Sequence, residues 1–264
     1  MLRIKMHSIY DHFPECHPVE GEPYIEMYND NRVLDCKWGH KNVAILFEPK
    51  SMIPDAYKFC GEHPELFRYI FTHDSELLKL PNAREVIWAD VWLTTDSEKD
   101  KGVSLCTSYK KWCPLHRARL SLAKEFDKSG LADVFYGDWN NPKVPEVAAR
   151  AYLEHYKYSI IIENDIDEFW YTEKILNCFA TKTVPIYVGA TRIQERFNAN
   201  GIIQVSEWMR IPSIVEWLDL EADYNNRIDA INDNFERVEP YKTPWKQRFF
   251  NDYGELLEDL QNER

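Results

Sequence analysis

The chain has 264 residues, of which 44% are hydrophobic and 29% charged, and its formal net charge is −12. This composition indicates a globular protein of one large or two small domains, without the basic excess needed to bind nucleic acid or an anionic membrane. No apolar stretch approaches the roughly 20 residues of a transmembrane helix, and the N-terminal segment lacks a signal-peptide pattern. We therefore expect a soluble, cytoplasmic protein that neither binds nucleic acid nor spans a membrane.

The cysteines are scattered along the chain without paired spacing. In a cytosolic protein this pattern predicts free thiols rather than disulfides. Cys16, His17, Cys36 and His40 could surround a metal ion, but no C-x-x-C pair anchors them, so we expect no metal site. The six cysteines are Cys16, Cys36, Cys60, Cys106, Cys113 and Cys178.

Residues 1–98 have the pattern of a small α/β domain. A buried apolar run over 42–47 stops at Glu48-Pro49, because proline lacks the N–H group that a further ladder bond requires. This strand therefore presents Glu48 at its carboxyl end. Residues 10–41 are rich in Pro, Gly, Asp and His and are expected to form a long loop. The other predicted elements are strands at 2–9, 68–72 and 85–89 and a helix at 54–60.

After a polar linker at 94–102, strand and helix patterns alternate, which predicts a doubly wound parallel sheet. Two such domains facing each other across a cleft would suit two substrates. We predict α/β domains at 1–98 and 99–218, followed by a helical tail at 219–264 that packs back on the body. The expected strands lie at 103–107, 132–136, 158–162, 183–188 and 201–205, and the helices at 114–128, 145–155, 191–197 and 212–218.

The stretch 158–189 reads as strand, helix and strand, a βαβ unit with parallel strands. Ligands of such sheets bind beyond the carboxyl ends of the strands, where Glu163, Asn164, Glu173 and Lys174 are expected. The free N–H groups at a helix N-terminus suit a phosphate. Lys174 opposes the helix dipole there, so it either binds an anionic ligand or is an ordinary solvated side chain.

The same stretch resembles the donor-binding signature of the α1,3/4-fucosyltransferases, glycosyltransferase family 10. The segment from Ser108 to Arg119 is similar to the family's S-N segment followed by a helical arginine. Two positions depart from the pattern: Trp170 stands where the family has tyrosine, and Asp165 replaces a common Ser or Thr. The resemblance is strong over 103–208 and rests on EN at 163–164, TEK at 172–174 and VPI at 184–186 with Gly189.

The resemblance implies two Rossmann-like domains in the GT-B arrangement, with the N-terminal one small and on the acceptor side. It also implies a GDP-sugar donor, an inverting mechanism and no required metal or other cofactor. The expected reaction is transfer of L-fucose from GDP-fucose to a hydroxyl group of a glycan acceptor. Two alternatives remain open: the same fold with another nucleotide sugar, or a catalytically silent module that binds nucleotide or glycan.

Transfer without a metal needs cations to meet the charge that grows on the leaving diphosphate. Lys174 and Arg117 are the expected pair, because arginine can hold two phosphate oxygens at once. Arg119 is the rival of Arg117, since a helix points residues two apart in different directions. Glu173 is expected to accept hydrogen bonds from the ribose hydroxyls, although a carboxylate in a first helical turn also complements the dipole.

The resemblance also assigns Trp170, Tyr171 and Thr172 to the donor site. Asn164 is expected to bond the sugar or phosphate, or to cap the loop. Glu163 has two equal interpretations: it contacts the donor sugar, or it orients Arg117 and Lys174 as an ion-pair partner.

Glu48 is the expected general base for the acceptor hydroxyl, because a strand-end carboxylate in the opposing domain would face the donor. Asp74, next to His73, is the rival base, and an ordinary loop glutamate is the non-functional interpretation of Glu48. His116 is expected on the surface of its helix. Trp112 or Trp139 could stack on a base or a sugar.

Overall fold

The computed structural model describes residues 1–39, 41–137 and 145–263. The chain forms two compact α/β units. The first contains Met1–Trp88 and the chain from Trp245 onward, and the second contains Ala89–Pro244. Each unit contains a five-stranded sheet in which all strands are parallel.

The sheet of the first unit has the strand order β1-β2-β3-β4-β5, which follows the chain. β2 lies within the segment that the sequence predicted as a loop, because Glu26 and Asn29 interrupt its apolar pattern and Pro23 and Asp30 flank it. The elements are β1 (Ile4–His7), β2 (Ile25–Asn29), β3 (Asn42–Ile45), α1 (Pro54–Glu62), β4 (Tyr69–Thr72) and β5 (Ala83–Glu85).

The sheet of the second unit has the order β10-β9-β8-β6-β7 and is surrounded by helices. α2 and α5 supply side chains to the core on one face, and α3 and α4 pack against β8 and β9. The elements are β6 (Lys101–Thr107), α2 (Pro114–Ser129), β7 (Asp133–Tyr136), α3 (Pro145–Leu153), β8 (Tyr156–Ile162), α4 (Glu173–Ala180), β9 (Val184–Val188), β10 (Ile203–Gln204), α5 (Ile211–Trp217), α6 (Leu220–Asn226) and α7 (Ile228–Arg237).

The final helix, α8 (Trp245–Asn262), belongs to the first unit. Alternate residues of a strand point to opposite faces of a sheet, so the first sheet has two apolar faces to cover. α1 packs on one of them, and Phe249, Leu257 and Leu260 of α8 fill the core on the other. The predicted tail is thus divided: α6 and α7 stay with the second unit, while α8 completes the first.

The boundary between the units also differs from the predicted one, because 89–98 lies with the second unit. The N–H groups of Trp92 and Leu93 donate to Asn177 Oδ1 of α4, at 2.8 and 3.3 Å. Thr95 N–H donates to the carbonyl of Ala180 at the end of α4 (3.1 Å). These bonds hold residues 92–95 against α4, so this segment is not a free linker despite its polar composition.

All six cysteines are free thiols, as predicted. Within the described part of the chain, no helix has the length and apolar character needed to cross a bilayer.

We expect Leu257→Ala to lower the free energy of unfolding of the first unit by about 2–5 kcal/mol, because it opens a cavity between α8 and the sheet. Urea unfolding followed by circular dichroism measures the change. Glu255→Ala, on the exposed side of the same helix, is the control and should stay within about 0.5 kcal/mol of the wild type. Equal effects of the two substitutions would contradict the packing of α8.

Candidate functional site

The carboxyl edge of the second sheet gathers polar side chains from neighbouring strands. Thr107 ends β6, Ile162 ends β8 and Val188 ends β9, and α4 begins at the same edge with Thr172 as its N-cap. A pocket opens here, and we call it the edge pocket. Its charged lining residues are Arg119, Glu173 and Lys174.

Glu163 is fully buried next to the pocket, directly after β8. One of its carboxylate oxygens accepts the N–H of Thr172 (3.0 Å), and the other accepts the Thr172 hydroxyl (2.8 Å) and Lys174 Nζ (3.2 Å). Its own N–H donates to the carbonyl of Val188 (2.8 Å). A buried carboxylate is tolerated because these donors compensate its charge.

Gly189 makes room for that carboxylate. A Cβ atom at this position would lie 2.7 Å from Glu163 Cγ and 2.4 Å from Tyr187 Oη, closer than real Cβ contacts come. The glycine of the family signature is therefore required here by the close approach of a neighbouring strand end.

Lys174 is not a solvated surface lysine. Its Nζ bonds Thr172 Oγ1 at 2.8 Å and lies 3.2 Å from Glu163 and 3.3 Å from Glu173. Burial alone would lower the pKa of Lys174, but Glu163 and Glu173 outweigh it and raise the pKa, so the side chain stays cationic. Glu173 keeps a partly exposed carboxylate that lines the edge pocket.

Arg119, rather than Arg117, reaches the site. Arg119 is buried, and its Nη2 donates to Asn164 Oδ1 at 2.6 Å. Arg117 is exposed and donates to the carbonyl of Lys111 (3.0 Å). Two residues on a helix differ by about 200° in direction, so only one of the pair can point inward. The structure therefore brings Arg119, and not the expected Arg117, to the edge pocket.

Arg119 also carries an unused donor. Its Nε is buried and has no hydrogen-bond partner among the described residues. Burial lowers the pKa of Arg119, and Glu163 opposes that shift. A guanidinium stays charged under such conditions, so the pocket holds a desolvated cation with an N–H group available for an acceptor.

His116 is buried instead of lying on the surface of α2 as expected. Its Nδ1 accepts the N–H of Cys113, the N-cap of the helix, at 3.4 Å. Burial, together with the charge of Arg119, lowers the pKa of His116 to about 4. The imidazole is therefore neutral at pH 7 and serves the helix start.

Trp170 and Tyr171 are buried and do not belong to the lining of the edge pocket. The hydroxyl of Tyr171 lies 2.7 Å from that of Tyr241, and its ring meets Phe197 edge-on at 5.9 Å. The structure thus places Tyr171 in the packing of the second unit, outside the lining of the edge pocket. Thr172 connects this segment to the site as the cap of α4.

The edge pocket also contains residues that sequence reasoning missed: Trp92, Cys106, Thr107, Ser108 and Tyr152. Cys106 and Thr107 end the strand β6 and Ser108 follows it, so the argument applied to Glu163 after β8 could have found them. Nothing in the sequence distinguishes Tyr152 from the apolar residues of its helix. Trp92 was not expected at this edge because the predicted first domain, 1–98, includes it, whereas the structure assigns it to the second unit.

In the first unit, Glu48 lies just beyond β3 with a partly exposed side chain. The rival base Asp74 is buried, and its Oδ1 accepts the N–H groups of Glu76 and Leu77 at 3.0 and 2.8 Å. Burial lowers the pKa of its neighbour His73 to about 4. Asp74 therefore caps a turn, which leaves Glu48 as the candidate base.

Within the described ranges, no three His, Cys, Asp or Glu side chains come together as they would around a metal ion. His40 and Trp139, which the sequence raised as a possible ligand and a possible stacking residue, lie outside the described residues.

Residues 97–239, more than half of the chain, match the family described as glycosyltransferase family 10 (fucosyltransferase), C-terminal part. Over 84 residues, 31% of the chain, it is 25% identical to the alpha-(1,3)-fucosyltransferase FucT of Helicobacter pylori. Over 131 residues, 47% of the chain, it is 26% identical to 4-galactosyl-N-acetylglucosaminide 3-alpha-L-fucosyltransferase 9 of Homo sapiens. These matches cover only 18% and 34% of the relatives' own lengths.

A crystal structure of an alpha1,3-fucosyltransferase with GDP aligns with 100% of this chain and 91% of its own chain, with a TM-score of 0.58 and 11% sequence identity. At that identity the likeness concerns the fold alone. It confirms the predicted fold class of two Rossmann-like α/β domains.

We expect Gly189→Ala to destabilise the second unit by about 1–3 kcal/mol, because the new methyl group must displace Glu163 or Tyr187. Thermal unfolding measures this effect. Gly61→Ala is the matched control: its Cβ would lie 3.6 Å from Leu77, an ordinary contact, and should be neutral or slightly stabilising in α1. An unchanged melting temperature for Gly189→Ala would refute the close approach.

Proposed function

Because the chain belongs to glycosyltransferase family 10, we propose that it transfers L-fucose from GDP-fucose to a hydroxyl group of a glycan, with inversion at the anomeric carbon. The observation that carries this proposal is a pair of cations at the carboxyl edge of a parallel sheet, the buried Arg119 and the partly buried Lys174. The free thiols of the chain suit a reducing compartment, so we propose that the protein acts in the cytoplasm.

The diphosphate is the part of the donor that these cations fit. As the bond to fucose breaks, negative charge grows on the departing phosphate oxygen, and donors already in place stabilise it without reorganising. The unpartnered Nε–H of Arg119 would donate to one phosphate oxygen. Lys174 and the N–H groups at the start of α4 would meet the others.

The carboxylates divide into a binding and a supporting role. Glu173 lines the edge pocket and would accept the ribose hydroxyls. Glu163 is fully buried and already occupied by Thr172 and Lys174, so of its two interpretations we favour orientation of Lys174. Asn164 would hold Arg119 in the same way, through its bond to Nη2.

Glu48 is our proposed general base. It would take the proton of the acceptor hydroxyl as the hydroxyl oxygen attacks the anomeric carbon and GDP departs from the opposite face. The human relative named above suggests the first acceptor to test, a 4-galactosyl-N-acetylglucosaminide.

Arg119→Ala should weaken GDP binding by about 10- to 100-fold, the effect of one or two hydrogen bonds to a charged group. Isothermal titration calorimetry with GDP measures it, with UDP as the comparison nucleotide. Arg117→Ala, two residues earlier on the same helix, is the matched control and should bind GDP like the wild type. If Arg117→Ala weakened GDP binding and Arg119→Ala did not, the assignment of the diphosphate site would be overturned.

Glu48→Gln should lower the rate of transfer from GDP-fucose by about 100- to 10,000-fold, while leaving the affinity for GDP unchanged. Release of GDP reports the rate, measured with the disaccharide acceptor and with water alone. Asp74→Asn keeps the oxygen that caps the turn and should remain active, because Asp74 is not the base. A wild type that consumes GDP-mannose or a UDP-sugar but not GDP-fucose would refute the donor, and one that consumes none would favour a binding module.

A further inference from the structure

The chain just beyond β3 is held by its neighbours in an unusual way. The pairing of β2 with β3 ends at Asn29 and Ile45. The side chain of Asn29 then donates to the carbonyl of Ile45 (3.3 Å), and on the other side Leu46 N–H donates to the carbonyl of Phe71 (2.9 Å). The next two residues, Phe47 and Glu48, extend past the strand, so other groups must satisfy their backbone.

Asp30 satisfies the two N–H groups. Its Oδ1 accepts the N–H of Phe47 at 2.7 Å and that of Glu48 at 3.2 Å. One carboxylate oxygen of Asp30 thus takes the place of the backbone carbonyl that a further residue of β2 would offer in a ladder.

The conformation of Asp30 has a cost. Its φ is 49°, in the left-handed region that side chains other than those of Asn and Asp rarely adopt. Burial raises the pKa of Asp30, although the two N–H groups it accepts oppose that shift. A left-handed backbone conformation combined with a desolvated carboxylate persists where the surroundings require it, and such combinations are enriched at functional sites.

Tyr57 satisfies the remaining backbone group of Glu48. Tyr57 belongs to α1 and is buried, and its hydroxyl donates to the Glu48 carbonyl at 2.9 Å. Pro49 follows and fixes its own φ. Both main-chain polar groups of Glu48 are therefore held by side chains from two different elements.

We propose that Asp30, together with Tyr57, is a positioning residue that fixes the backbone of Glu48 and so delivers its carboxylate to the acceptor hydroxyl. This inference rests on the role of Glu48 in the proposed function. Asp30 acts through Oδ1, which is committed to two N–H groups, and the proton goes to Glu48 in the transfer step.

Two substitutions of Asp30 separate the hydrogen bonds from the backbone conformation. Asparagine keeps an oxygen acceptor and tolerates a left-handed φ, whereas glycine accepts that φ without strain but lacks the acceptor. Asp30→Asn should keep kcat within about threefold of the wild type. Asp30→Gly should lower kcat by about 10- to 100-fold, the effect of a catalytic group displaced by about 1 Å. The KM for GDP-fucose and the affinity for GDP should not change in either variant.

Tyr57→Phe removes the other bond to Glu48 with little change in volume, and its kcat should fall in the same direction. It keeps the inference testable if Asp30→Gly fails to fold. Lys182→Gly is the control, because Lys182 is the other non-glycine residue with positive φ (56°) among those described. It lies in the second unit and should leave kcat unchanged.

Release of GDP from GDP-fucose, with the disaccharide acceptor and with water, gives kcat and KM, and thermal unfolding confirms that each variant is folded. The inference is overturned if folded Asp30→Gly and Tyr57→Phe keep wild-type kcat while Glu48→Gln is inactive. Equal losses in Asp30→Asn and Asp30→Gly would also overturn it. If Glu48→Gln itself keeps transfer, the proposed base is wrong, whatever the Asp30 variants do.

Discussion

The fully buried carboxylate of Glu163 constrains the whole candidate donor site. Removing an ionised carboxylate from water costs several kcal/mol even after relaxation, so its donors have to be in place. They come from the residues that begin α4, Thr172 and Lys174, while the strand end after β9 makes room through Gly189. The buried charge of Glu163 thus fixes the relative positions of two strand ends and the start of α4. It also holds the ammonium group of Lys174 in place.

This constraint explains which parts of the site could be predicted from sequence. The residues that surround Glu163 are close along the chain and belong to one βαβ unit, so their spacing alone brought them to one edge. Arg119 comes from a different helix, and its choice over Arg117 depends on the rotation of α2, which a two-residue spacing cannot decide. Trp170 and Tyr171 belong to the same contiguous motif but are buried in the core, so the motif contains both pocket-lining and packing residues.

Spacing along the sequence was also insufficient to predict two features of the fold, the strand β2 and the packing of α8. Alternation of strand and helix predicted both sheets, but the apolar pattern of β2 is interrupted by Glu26 and Asn29 and lies in a segment rich in loop-forming residues. α8 was recognised as a helix, yet its apolar stripe could have packed on either unit. α8 packs on the face of the first sheet that α1 leaves uncovered. That face is recognised only when β2 is known to lie between β1 and β3.

The two sheets use one device at their carboxyl edges. In the second unit, the carboxylate of Glu163 accepts the backbone N–H of Thr172, and in the first unit that of Asp30 accepts the N–H groups beyond β3. A carboxylate that accepts main-chain N–H groups forms directional, charge-assisted hydrogen bonds, which are stronger than hydrogen bonds between neutral groups. In each unit the loop so held carries a residue proposed to act on substrate: Lys174 for the leaving group and Glu48 for the acceptor. Inverting transfer makes and breaks its bonds on opposite faces of one carbon, so it is sensitive to small displacements of either residue.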